Sequence, residues 1–147
     1  MVLRQSNVIE RGCHYAVSHV VVLQTAIFQR LSTDKELNAR VTGVLDAVSK
    51  DQKKPYVTTG DDDVSPFETK TSKGEIVNVV LHCWSDYNGK KEAMQILDLM
   101  LQAITREPLE IEGFSLCRSE MRGMQVITDI DGYTRHGILR MRYTINN

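Results

Sequence analysis

Residues 75–84 set the tightest limit on what this chain can fold into. In an extended backbone Val77, Val79, Leu81 and Cys83 share one face, and Ile76, Val80 and Trp84 share the other with Asn78 and His82. A strand that is largely apolar on both faces belongs in the middle of a sheet, flanked at both edges. The remaining segments must therefore supply its neighbours.

Residues 41–48 read as a short strand containing Gly43. Pro55 opens a second one, Tyr56, Val57, Thr58 and Thr59, rich in β-forming residues. Residues 60–74 hold Gly60, three consecutive aspartates, Pro66 and Gly74, and read as a long interaction loop. The C-terminal third reads as a hairpin. Phe114, Leu116, Met124 and Val126 fall on one face of a long strand, interrupted by Arg118, Glu120 and Arg122. Asp131-Gly132 is a two-residue turn signal. After it, Tyr133, Leu139, Met141, Tyr143 and Ile145 alternate with Thr134, His136, Arg140, Arg142 and Thr144, the pattern of a half-buried antiparallel strand.

Two segments have helical spacing instead. Val20, Leu23, Ala26, Ile27 and Leu31 recur every three or four residues, as do Ala93, Ile96, Leu97, Met100, Leu101 and Ile104. Asn88-Gly89 is placed to cap the second helix, which ends before Pro108. Thr33 and Glu36 have capping-box spacing for a short helix over 34–40. Residues 1–19 are read as an N-terminal extension and residues 20–147 as one α+β domain, a mainly antiparallel β-sheet with two main helices packed on one face.

A length of 147 residues suits a single domain with its own core. The formal net charge is -1, which supports neither a specific nucleic-acid ligand nor a polybasic membrane anchor. The longest early apolar run, Val20 to Leu23, is too short to span a bilayer. Cys13, Cys83 and Cys117 lack paired spacing and fit a reducing compartment. Their contexts at 83 and 117 favour inert thiols.

No catalytic, cofactor or metal motif emerges, and we expect no enzyme. There is no nucleophile elbow and no glycine-rich phosphate loop. Asp61-Asp62-Asp63 lacks a second carboxylate cluster for a cation, and the calcium-loop register starting at Asp129 fails at Arg140. His82 and Cys83 point to opposite faces of their strand, and Cys13, His14 and His19 lack a fourth zinc ligand. Trp84 reads as a core anchor, with a ligand platform as the alternative.

The charge is segregated. Residues 59–69 carry four acids and no base, whereas residues 114–147 carry five arginines against three acids. All eight lysines precede Cys117. Arginine suits interfaces because its planar fork makes directional ion pairs; a solvated sheet face is the alternative.

The order of motifs adds a resemblance. Residues 22–31, Val-Leu-Gln-Thr-Ala-Ile-Phe-Gln-Arg-Leu, resemble the opening helix of the tail completion proteins of long-tailed phages and gene transfer agents. Pro55-Tyr56-Val57 before an acidic stretch resembles that family's second strand. Residues 80–85 followed by Asn88-Gly89 resemble its central strand and turn, and residues 131–137 its late hairpin. The likeness spans about residues 20–145.

It implies a structural virion protein of the tail and neck, assembled in the host bacterial cytoplasm. Such a protein forms a ring, often hexameric, that terminates the tail tube and contacts the tail tube protein and a neck or head-completion protein. A stopper or connector subunit at the head–tail junction, and a small cytoplasmic binding module with a pocket near Trp84 and His82, remain open. A head-to-tail ring needs two different patches per subunit. The candidates are the acidic stretch of Asp61, Asp62, Asp63 and Glu68 and the arginine face of Arg118, Arg122, Arg135, Arg140 and Arg142, expected to meet between subunits.

Overall fold

The computed structural model describes residues 19–111 and 113–146. The extension expected over residues 1–19, with Cys13 and His14, otherwise lies outside them. Among the described residues nine elements follow in order: α1 (Val20–Thr33), α2 (Lys35–Asn38), β1 (Val44–Leu45), β2 (Tyr56–Thr59), β3 (Asp63–Glu68), β4 (Lys73–Ser85), α3 (Lys91–Thr105), β5 (Ser115–Thr128) and β6 (Arg135–Asn146). The fold is α+β, as the hydrophobic pattern requires.

Strand β4 sits in the middle. β6 pairs along its whole length, from Gly74 opposite Asn146 to Ser85 opposite Arg135, and β5 lies outside β6. The other edge of β4 takes two strands in succession. β2 pairs with residues 81–84 and β3 with residues 73–78, both antiparallel. Between them the Gly60 N–H donates to the Val80 carbonyl, and the Asp62 carboxylate accepts from the Val80 N–H. Residues 56–68 thus act as one long strand interrupted at 60–62.

This corrects the expected loop over 60–74. Its first half is edge strand, and the true turn is Thr69–Ser72, where the Thr69 N–H donates to the Ser72 carbonyl. Pro66 hid the strand; proline is tolerated there because no further strand pairs with β3 among the described residues. The expected strand over 41–48 contracts to two residues, parallel to β2.

The interrupted face of β5 has a physical cause. Register shifts between Leu116 and Arg118 and between Met121 and Gly123 leave Cys117 and Arg122 as bulged residues. The first bulge turns Arg118 and Glu120 to the face away from the helices; the second returns Met124 and Val126 to the core side. Cys117, expected in an apolar context, is exposed.

The core forms between the sheet and the helices. Leu23, Ile27 and Leu31 of α1 and Ile96, Leu97 and Met100 of α3 cover Val77, Leu81 and Cys83 of β4 and Leu139, Met141 and Tyr143 of β6. Gly137 permits this approach, because a Cβ there would stand 2.4 Å from Cys83 Sγ and 3.1 Å from Leu97. Beneath α1, Glu75 is buried with His19: the His19 N–H donates to its carboxylate at 2.8 Å, and Phe114 packs 3.6 Å from the imidazole.

The helix ends depart from the expected caps. Asp34, rather than Thr33, accepts from the Leu37 N–H and starts α2. α3 has no side-chain cap at Lys90, and Ser85 instead donates to Glu92 in its first turn. The last turn of α3 contains no basic residue, so its free carbonyls are met from outside. Arg30 of α1 donates to the Ala103, Glu107 and Pro108 carbonyls at 2.8–3.2 Å. Arg106 returns the link through a 3.1 Å ion pair with the buried Asp34 carboxylate.

Replacing Arg30 with Met keeps the packed stem and removes every donor. The substitution is expected to cost about 2 kcal/mol, since each bond from a charged donor contributes roughly 1.5–3 kcal/mol when sheltered and less when wet. Urea denaturation of the variant against the parent measures it; an unchanged midpoint would exclude Arg30 as the clamp between the helices.

Candidate interaction surface

The helices cover one side of the sheet. The other side carries the even-numbered positions of β4 and β6, and most of the chemistry-bearing side chains lie there. At one end, Trp84 and His136 are cross-strand partners whose rings stack 3.9 Å apart with planes 8° from parallel. His82 lies diagonally across, its Nδ1 2.7 Å from His136 Nε2. The Trp84 indole N–H donates to Thr58 Oγ1. Gly60 makes room for His82, because a Cβ at that residue would stand 2.3 Å from its Nε2. Trp84 is therefore an anchor of the open face and not of the core.

Burial holds both His82 and His136 below the ordinary imidazole pKa. Arg140 adds to the depression at His82, against an opposing pull from Asp61. His82 adds to it at His136, and Asp129 opposes it there. In their contact one ring nitrogen donates and the other accepts, so protonating the acceptor would set two N–H groups against each other.

The nine residues expected to form charged patches divide by surroundings. Asp62 turns inward: its carboxylate accepts from Gln24 Nε2 at 2.5 Å, and burial, the largest influence on it, raises its pKa. Asp63 and Arg142 are joined within the chain, since the Asn78 amide donates to Asp63 at 2.6 Å and accepts from Arg142 Nε at 3.1 Å. Arg118 and Arg122 both approach Glu120, at 3.6 and 3.7 Å. Arg135 donates to Thr128, Arg140 reaches Gln125 at 3.4 Å, and Glu68 makes an exposed 3.7 Å pair with Lys73. Asp61 is exposed beside the Asp62 turn, and its charge acts on His82. Solvent-exposed pairs such as Glu68–Lys73 are weak and can be exchanged for partners outside the subunit.

The β5–β6 connection also differs from expectation. It spans six residues, 129–134, and takes Tyr133 out of the strand. Asp131 organises it by accepting from the Tyr133 and Thr134 N–H groups and from the Thr134 hydroxyl. These bonds, the hydroxyl first, hold the Asp131 carboxyl below its usual pKa, with Lys54 adding a smaller pull. The Gly132 N–H donates to the Asp129 carbonyl, and the Asp129 N–H to the Thr134 carbonyl.

Sequence reasoning missed the pairing of His82 with His136, which required the β4–β6 register. It also passed over Ile130, an apolar residue between two aspartates in a turn, although that placement itself signals exposure. Catalytic chemistry finds little support: burial pushes the Cys83 thiol up to about 12, and no group of three or more metal-ligating side chains converges among the described residues. No helix among the described residues is long and apolar enough to cross a membrane.

The model of the family described as tail completion protein gp17 matches residues 25–146. The tail completion protein gp17 of Bacillus phage SPP1 is 41% identical over 125 residues, which cover 85% of this chain and 92% of the relative. The solved structure of bacteriophage SPP1 gp17 superposes with a TM-score of 0.63 at 41% identity, over 85% of this chain and 89% of that one. A chain from the virion of a native gene transfer agent particle shares the fold, with a TM-score of 0.81 at 24% identity over 90% of this chain and all of that chain.

The histidine pair predicts a pH dependence. Both imidazoles bind protons less readily in the folded state than in the unfolded chain, so the fold binds fewer protons in the window below pH 6.5. Stability is therefore fully present above that value and falls as pH drops through the window. His136→Gln is expected to flatten this fall, which urea midpoints at pH 7.5, 6 and 5 would measure. Parallel curves for variant and parent would exclude the pair as the source.

Proposed function

The chain belongs to the tail completion protein gp17 family, and on that premise we propose that it forms a ring that terminates the tail tube and joins it to the neck. Members of this family are structural proteins of the phage tail, and the chain is a virion structural protein and not an enzyme. The observation that carries the finer reading is the 41% identity with a tail completion protein across nearly its whole length. The partners we infer are further copies of this chain, often six in such rings, the tail tube protein and a neck or head-completion protein. Assembly takes place in the host bacterial cytoplasm.

The edges of the sheet bear on how copies associate. β3 carries Pro66 in mid-strand, and β5 carries two bulges with Arg118, Glu120 and Arg122 between and at them. Both are devices that discourage edge-to-edge strand pairing. Copies therefore meet through side chains. Asp61 and Glu68 are the acids freest to pair outward, because Asp62 and Asp63 are already bonded within the subunit. Arg122, Arg135 and Arg140 are the matching cations on a neighbour.

Particles produced without this protein should carry overlong tails, or tails not joined to heads, in electron micrographs. Tails of normal length left unjoined would assign the chain a stopper or connector role, and normal particles would overturn both. For the charge pairing, the double variant Asp61→Lys, Glu68→Lys avoids placing an ammonium in the half-buried site of Asp62. Its occupancy on purified tails should fall about tenfold at low ionic strength and recover at high salt, as expected for a few exposed pairs. Full occupancy at low salt would remove the pairing.

A further inference from the structure

The two ends of the open sheet face are held by different means. Toward one end, Asn78 joins Asp63 to Arg142, Glu120 stands opposite Arg142, and Arg118 and Arg122 approach Glu120, so charges of opposite sign are bridged across β3, β4, β6 and β5. The Trp84 end has no such bridge. Its cross-strand contacts are two imidazoles with ring centres 4.8 Å apart, the indole stacked on one of them, and Tyr56 of β2 at 6.5 Å from the indole. Among the described residues no carboxylate forms an ion pair with His82 or His136. The charged groups around them stand off. Asp61, in the turn before β3, and Arg140 of β6 act on His82, and Asp129 of the β5–β6 connection acts on His136. Arg135, the residue before His136, donates to Thr128. β2 and β5 contribute Tyr56, Thr58 and Ile127 to this end, and no carboxylate.

This geometry sets how many protons the cluster tolerates. In the 2.7 Å contact one ring nitrogen donates and the other accepts. The donor ring can take a proton on its outer nitrogen and keep the contact, and a cation on His136 is also favoured by the stacked indole face. The acceptor ring has no such freedom. Its outer nitrogen already carries the hydrogen of the neutral ring, so the contact nitrogen is its one remaining site. A second proton therefore replaces an attraction with two opposed N–H groups on two cations, in a cluster where burial already disfavours charge.

The rings hold the end of the β4–β6 ladder. Arg135 and His136 are the first β6 residues, opposite Ser85 and Trp84. The next residue, Gly137, faces Cys83 and Leu97 on the core side, so an opening that starts at the rings stops there. The connection before them is closed by its own bonds, from the Asp129 N–H to the Thr134 carbonyl and from the Tyr133 and Thr134 N–H groups to Asp131. The bonds to Asp131 hold its carboxyl below the usual range, so they persist in the mildly acidic range where the imidazoles gain protons. The connection, with its exposed Ile130 and Tyr133, moves as one unit.

We propose that Trp84, His82 and His136 form a pH-sensitive latch: the second proton parts the rings and frees residues 129–136 from β4, while the helix-covered core stays folded. The loss of stability in acid thus begins at one end of the sheet, and the orientation of Ile130 and Tyr133 changes with pH. The latch is independent of the ring reading.

Hydrogen exchange of the full chain tests it. Protection factors of the ladder amides at residues 83–85 and 135–137 are compared with those of α3 at pH 7.5 and pH 5. In the parent, protection at the ladder end should fall about tenfold more than in α3, as for a local opening. His82→Gln keeps a side-chain hydrogen-bonding group and cannot become the second cation, so its two regions should change in step. Equal changes in the two regions of the parent, or the same ladder-end loss in His82→Gln, would overturn the latch. Trp84 is the one tryptophan of the chain and gives a second readout that needs no variant. Its emission should shift to the red over the same pH range as the indole loses its stacked neighbour and meets water. Quenching without a shift would mean that His136 gains charge while still stacked, and would overturn the parting of the rings.

Discussion

Every strand except β1 and β5 pairs directly with β4, and those two pair with its neighbours. The arrangement follows from a strand too apolar to lie at an edge and long enough, at 13 residues, to hold two shorter strands in line on one side. Its odd-numbered face, Val77 to Cys83, draws α1 and α3 onto the sheet. Its even-numbered face is apolar enough to be half-covered by its neighbours' side chains and polar enough to remain open. Burial of the odd face against the helices contributes about 25 cal/mol per Å² of apolar surface. It also decides which side of the sheet is left for partners.

The helical layer is held by a second, polar device. Burying the carboxyl end of α3 without donors would leave carbonyls unpaired, and Arg30 reaches across from α1 to supply them. Asp34 serves both the start of α2 and Arg106. These contacts orient α1, whose far side lines an open recess at Val21 and Phe28.

The repeating features of the fold were legible from the order of residues. Period-two alternation marked β4 and β6, and period-three-to-four spacing marked α1 and α3, because burial on one face imposes those periods. Interruptions were not. β3 read as a loop because Pro66 and three aspartates outweighed its short apolar alternation, although an edge strand tolerates all four. The arginines within β5 looked like breaks in an apolar face until two bulges turned them to the other side. Asp131-Gly132 marked a turn correctly, but not its length, which depends on the side-chain bonds of Asp131 and Thr134.

The candidate surface shows the same division. Charge segregation between residues 59–69 and 114–147 is a property of the sequence, and so is the likeness to tail completion proteins. Which of those charges are free is not. Asp62 and Asp63 are consumed by Gln24 and Asn78, partners 38 and 15 residues away. His82 meets His136 across 54 residues, and α1 forms its recess with Asp46 and Thr59. Sequence alone determined the fold class and the family, because local periodicity and motif order carry both. Only the tertiary structure decided which side chains face outward, because strand register and bulges choose the face, and contacts between distant residues choose the partners.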